Sequence, residues 1–267
     1  MREFDLGSDA DLVYILPDAA REDSGWWNQA VARMVEIISS YTREGKIFSV
    51  DARLRPGGRD GELIQTETSF RDYFAGPAEA WEALAYLKAR TVAGDPEAAK
   101  PILQEIQQIG WRRYGLSGDS PEMLDGMRRK LERELGAANP LKAGPGGYYD
   151  IDFLLLYLRL RGSMIFYDYL STPARIDLVR DNGQISAEQA EFLHHAAVFY
   201  RGLDHAIRTV FGEASPTIPA APADQANLAS LMIRWGALRP TAQPLGALVD
   251  ETRRRTRALY AEFFGRV

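Results

Sequence analysis

Strand patterns in this chain stop at Gly94-Asp95-Pro96, and the residues beyond that tripeptide read as helix. A chain divided in this way cannot wind helices alternately around one long sheet. It must build a small sheet in one region and pack helices against helices in another. The reading is therefore α+β: a small sheet domain over residues 1–105, followed by an antiparallel helical bundle over 106–267. With 267 residues the chain has enough material for both cores.

In the first region Asp9, Asp11, Val13 and Ile15 share one face of an expected strand, and Ala10, Leu12, Tyr14 and Leu16 share the other. Past the aspartates both faces are apolar, the pattern of a central strand covered twice. Ser24 caps a helix with Trp27, Val31, Met34 and Ile38 on one stripe. "KIFSVDARLRPGG" alternates, with Phe48, Val50, Ala52 and Leu54 opposite Ser49, Asp51, Arg53 and Arg55, until Pro56-Gly57-Gly58 ends it. "GELIQTETSF" reads as a further strand, and "GPAEAWEALAYLKAR" as a helix with Pro77 in its first turn.

Beyond the boundary, Ser120-Pro121 opens a helix whose apolar stripe is Met123, Met127, Leu131 and Leu135, closed at Gly136. "YYDIDFLLLYLRLRG" is apolar on nearly every side, so it is expected to be buried all round. Thr172-Pro173 starts a helix that Asn182-Gly183 stops. Ser186 and Gln189 form a capping box that launches a long helix to Gly212. The proline-rich "SPTIPAAPAD" leads to two more helices, the last rich in arginine.

A formal net charge of -5 argues against broad nucleic-acid binding, and the absence of cysteine excludes disulfides, thiol catalysis and cysteine-ligated zinc. No secretory leader pattern opens the chain, and no uncharged apolar run is long enough to span a bilayer. The expectation is a cytoplasmic protein with no membrane partner.

Asp9 and Asp11 lie about 6.5–7 Å apart along one strand face. Asp51 sits on another strand, and if the two strands are neighbours the three carboxylates converge. Three such charges need cations to compensate them, and magnesium, which takes hard oxygen ligands and bridges them to phosphates, is the natural one. Gly7 and Ser8, just before the pair, would let a phosphate approach the backbone. Spacing alone leaves the alternative of a solvated strand-entry pair and a surface Asp51.

"GSDADLVYI" resembles the Gly-Ser-x-x-Asp-x-Asp signature of the polymerase-beta-like nucleotidyltransferases. "VDARLRPGGRDGELI", "AWEALAYLKARTVAGD" and "KAGPGGYYDIDFLLLYL" resemble successive blocks of the glutamine synthetase adenylyltransferase/adenylyl-removing enzyme family. The resemblance covers about Phe4 to Leu160 and corresponds to a single catalytic unit. It implies a polymerase-beta-like sheet domain and two Mg2+ ions held by Asp9, Asp11 and Asp51 against the phosphates of substrate ATP. Asp51 would also help activate the incoming hydroxyl. It further implies Gly7 and Ser8 at the triphosphate, transfer of AMP to a tyrosine hydroxyl of glutamine synthetase, and, in the sister unit, its removal by phosphorolysis. The motif does not decide between the two directions. The family places a Gly-x-Leu-Gly-Gly-like lead before this motif where the chain has only "MREFDL", so the expectation is an N-terminally incomplete nucleotidyltransferase domain. A non-catalytic module of the same fold, binding nucleotide or a PII-type signalling protein, is the alternative.

Arg53, Arg55, Lys88 and Arg90 fall in the same blocks and would neutralise phosphate charge; ordinary surface ion pairs are their alternative. Asp150 and Asp152 are second-rank candidates, equally explained as charges at a helix start. His194, His195 and His205 lack ligand spacing and are expected to be packing or surface residues. Trp26 and Trp27 are expected in the core, and Arg253, Arg254, Arg255 and Arg257 on a solvated helix face.

Overall fold

Among the described residues four short strands form two parallel pairs, β1 (Ala10–Asp11) with β3 (Val50–Asp51) and β2 (Tyr14–Leu16) with β4 (Ile64–Thr66). They belong to a computed structural model that describes residues 9–46, 48–162, 171–212, 215 and 217–265. The single strand expected across 9–16 is broken at Leu12-Val13, where the chain changes partner. The Leu12 N–H donates to the Asp51 carbonyl at 2.8 Å, and Tyr14 then opens the second pair opposite Ile64. Parallel partners require a crossover, supplied here by a 3-10 segment (Asp18–Asp23) and α1 (Ser24–Ser39).

The strand expected through Leu54 keeps only Val50 and Asp51. Residues 52–61 instead fold into turns stapled by Arg55, whose guanidinium donates to the carbonyls of Ala52 (2.8 Å), Gly61 (2.9 Å) and Arg59 (3.0 Å). "GELIQTETSF" is strand only to Thr66. There the Thr66 Oγ1 accepts the Ser69 N–H and starts α2 (Glu67–Ala75). A capping box between Glu79 and Glu82 delays α3 (Ala80–Tyr86) to a point past Pro77.

Asp95 caps α4 (Pro96–Gly110), which packs on α2 and α3. Phe70, Phe74, Ala78, Tyr86, Ile102 and Ile106 form the core between these helices, with Val13 and Ile15 packed against it. Phe74 and Tyr86 meet edge to face at 4.6 Å. α1 fully buries none of its residues, and Trp26 and Trp27, expected inside, are 62% and 40% exposed and lean on each other. The chain divides into two compact units, and the one that holds the strands runs to Arg113, past the end of α4.

The second unit holds α5 (Ser120–Leu135), α6 (Tyr148–Gly162), α7 (Thr172–Asp181), α8 (Ala187–Phe211), α9 (Pro222–Arg234) and α10 (Leu245–Phe264). α6 packs on α5, α7, α8 and α10 and is buried on nearly every side, as its composition requires. The expected capping box opens α8, and Gly212, in the left-handed region at φ 74°, closes it.

The buried face of α5 is rotated from expectation: Leu124, Asp125 and Arg128 are buried and Met127 and Leu131 half-buried, while Met123 and Leu135 are exposed. Of the arginines of α10, Arg254 and Arg255 are exposed as expected, while Arg253 and Arg257 are half-buried. Arg253 donates to the Pro145 carbonyl, Arg257 pairs with Glu132 and Asp150, and Arg255 covers the Phe192 ring. No helix among the described residues is long and apolar enough to cross a membrane.

Gly146 stands at φ 71°, and a Cβ there would lie 2.0 Å from the Arg253 carbonyl oxygen. Gly183 has nearly the same φ, 69°, but open space around it. We expect Gly146→Ala to cost about 3 kcal/mol or more in urea unfolding, and Gly183→Ala only about 1 kcal/mol. Equal costs would mean that the Arg253 contact adds nothing.

Candidate active site

The register of the first strand pair sets Asp11 opposite Asp51, one residue beyond Ala10 opposite Val50. Paired strands lie about 4.8 Å apart, and side chains at matched parallel positions project to the same face. Two carboxylates thus face one way across one strand spacing, and Asp9, two residues before Asp11, adds its charge to theirs. The alternation of strand side chains places Asp9 and Asp11 on one side, and the parallel pairing supplies Asp51.

Loss of hydration, then Asp51 and then Asp9, pushes the Asp11 carboxyl above the ordinary value, against the opposing pull of Lys88 and Arg53. Asp51 moves the other way because Arg53 clasps it. Its Oδ1 accepts the Arg53 backbone N–H at 2.8 Å and Nε at 2.9 Å, and its Oδ2 accepts Nε at 2.7 Å and also Nη2. These bonds, helped by the charge of Arg59, hold its carboxyl below the usual range.

Among the described residues no group of three His, Asp or Glu side chains is arranged to hold a metal ion. The donor chemistry nevertheless fits magnesium. Asp9 and Asp11 offer hard oxygens in a negative field, and Asp51 would extend the set, but its oxygens are taken by Arg53. The charge of the site therefore calls for a cation that its geometry, as it stands, supplies from within.

Of the expected phosphate-binding cations, Arg53 and Lys88 act on the carboxylates. Arg55 is instead committed to the backbone of the 52–61 turn, and Arg90 lies exposed beyond α3. Gly7 and Ser8 lie outside the described residues. Asp150 and Asp152 belong to the second unit, where they are buried. Asp150 pairs with Arg128 at 2.6 Å and Arg257 at 3.2 Å, and Asp152 pairs with Arg175 at 2.9 Å. Both carboxylates are thus paired within the helical unit. His194 pairs with Asp177, His195 with Arg239, and the His205 ring leans on Trp235.

Two contributors escaped the sequence reading. Arg59, in "PGGRDGE", acts on Asp51 from the far side of the turn. Buried Tyr86 donates its hydroxyl to the Leu54 carbonyl at 2.7 Å and so ties the turn to the core. Nothing in the spacing points to a tyrosine bonding a backbone oxygen so far away, whereas the charge of Arg59 next to the glycines was visible.

The model of the glutamate-ammonia ligase adenylyltransferase family matches residues 1–105, which hold all three carboxylates. The chain is also similar to bifunctional glutamine synthetase adenylyltransferase/adenylyl-removing enzymes. With that of Streptomyces coelicolor it shares 30% identity over 266 residues, covering 96% of this chain and 26% of the relative. With that of Hahella chejuensis it shares 27% over 252 residues, covering 89% and 26%. The chain belongs to this family. It spans about a quarter of the length of these curated relatives. The helical part, residues 124–264, also matches the model described as GlnD PII-uridylyltransferase.

The opposite shifts of the two carboxyls give opposite pH behaviour. Asp11 is raised, so its ionised form opposes folding. That penalty is absent below the ordinary value of 3.8 and complete once pH passes the folded value. Asp51 is lowered, so it stabilises above 3.8 and loses that contribution as pH falls through its folded value. Thermal unfolding at pH 7 should show Asp11→Asn at least as stable as the wild type and Asp51→Asn less stable, with both differences shrinking toward acid. In the helical unit, Asp150→Ala strands Arg128 in the interior and should cost about 3–5 kcal/mol in denaturant unfolding. A cost under 1 kcal/mol would show that the pair is dispensable.

Proposed function

We propose that the chain is a nucleotidyl-transferring unit that moves AMP from ATP to a tyrosine hydroxyl of glutamine synthetase, or removes it by phosphorolysis. The observation that carries this reading is Asp11 opposite Asp51 on paired parallel strands, within residues that match an adenylyltransferase family. Short parallel strands with a helical crossover agree with a polymerase-beta-like sheet, and the following helices with a bundle domain.

In this reading Asp9, Asp11 and Asp51 hold Mg2+, and Arg53, Lys88 and Arg90 receive the phosphates, with Gly7 and Ser8 beside them. Arg55 shapes the turn that presents Arg53. Bound magnesium would lower the pKa of the attacking hydroxyl and stabilise the leaving oxygen. The chain's own part is to hold the phosphates in line and to neutralise them with a guanidinium fork, whose planar donors match phosphate oxygens. Glutamine synthetase would be met in the cytoplasm.

A second reading is favoured by the match of residues 124–264 to a PII-uridylyltransferase model. In that reading the chain is a non-catalytic regulatory module of the same fold that binds nucleotide or a PII-type signalling protein.

Incubation with α-labelled ATP, Mg2+ and unmodified glutamine synthetase separates these readings. We expect label on the synthetase, reduced about a hundredfold or more by Asp11→Asn while far-UV circular dichroism is unchanged. Adenylylated synthetase with phosphate tests the reverse direction. Transfer in neither direction would overturn the enzymatic reading.

A further inference from the structure

The Asp51 carboxylate is saturated by a single residue. Arg53 supplies its backbone N–H, Nε and Nη2, which together engage both carboxylate oxygens. The clasp is lopsided in exposure: the Asp51 side chain is 15% exposed, whereas that of Arg53 is 60% exposed. The carboxylate is thus covered while the guanidinium stays within reach of solvent and of anything bound there. Among the described residues Asp11 carries no such clasp, although it stands opposite Asp51 in the same strand pair.

A divalent cation arriving alone would have to break these bonds and would leave the Arg53 charge beside its own. A cation arriving with a polyphosphate meets a different balance, because the phosphate can take the displaced guanidinium in a two-toothed contact at least as good as the one it leaves. Exposed ion pairs are weak, so the exchange needs no large rearrangement.

We propose that Arg53 is an internal counter-cation that reserves Asp51, and that it yields the carboxylate to a divalent metal only when a nucleotide polyphosphate takes over its guanidinium. This rests on the metal-carboxylate reading of the site given above. It makes metal and nucleotide loading cooperative through one side chain, a coupling that must act equally in both directions.

Mn2+ serves as the probe, with free ion read by electron paramagnetic resonance on the full 267-residue chain. Wild type, Arg53→Gln, Asp51→Asn and the double variant are titrated with and without a non-hydrolysable α,β-methylene analogue of ATP, and Mn2+ bound to the analogue alone is subtracted. Without nucleotide, Arg53→Gln should bind Mn2+ about fivefold more tightly than the wild type. The gain should vanish in the Asp51→Asn background. The tightening of Mn2+ binding by the analogue should be smaller in Arg53→Gln than in the wild type. Arg53→Lys, which keeps the charge but loses the fork, should fall between and stands in if the glutamine variant does not fold.

Equal or weaker Mn2+ binding by both Arg53 variants overturns the counter-cation role. If that happens while the wild type still binds Mn2+, the metal reading of the site survives. If no variant binds Mn2+ with or without the analogue, both fall together.

Discussion

A fully buried carboxylate has to be compensated where it stands, and in the helical unit the compensation of Asp150 organises the packing. Burial pushes its carboxyl up, and Arg128, Arg257 and the Gly146 N–H oppose that shift. The turn over residues 144–147 then serves as a junction. The Gly144 carbonyl accepts Arg128 from α5, the Pro145 carbonyl accepts Arg253 from α10, and the Gly146 carbonyl accepts the Tyr200 hydroxyl from α8. Three helices are tied to three consecutive backbone oxygens at the start of a fourth. Such an arrangement contributes little net stability over a well-packed apolar one, but it tolerates few alternative registers.

The first strand pair treats its charges differently. It sets Asp11 and Asp51 against each other and clasps Asp51 with an exposed arginine, while Glu67 and Glu105 of the same unit share Arg71 in ordinary ion pairs. Asp150 is compensated by Arg128, which is buried with it, whereas Asp51 is compensated by a guanidinium that solvent, and in the proposal above a ligand, can reach.

Features that depend on local chemistry were legible in the sequence: the Ser186–Gln189 capping box, Gly212 as a helix stop, and the all-round burial of α6. The neighbour relation of the Asp11 and Asp51 strands was legible in part, because like charges on two predicted strands suggest a shared purpose. Features decided by remote partners were not. The break at Leu12-Val13 exists because two different strands compete for one chain. The turn after Asp51 exists because Arg55 bonds three carbonyls, overriding an alternation that looks like a strand. The buried face of α5 follows Arg128 and Asp125, so an apolar stripe through Met123 and Leu135 misled. Trp26 and Trp27 were misplaced for the converse reason: size favours burial only where another element is present to cover the ring, and α1 fully buries none of its residues.

The β1–β3 pair has only two residues in each strand, and its hydrogen bonds run from Ala10 to the Ser49 carbonyl and from Leu12 to the Asp51 carbonyl. It lies outside the aromatic cluster between α2, α3 and α4 that anchors this unit. Local opening begins where few bonds and little apolar contact hold the chain, and separating two like charges further favours it. The carboxylates therefore sit on a two-residue ladder that does not belong to the aromatic core of the unit.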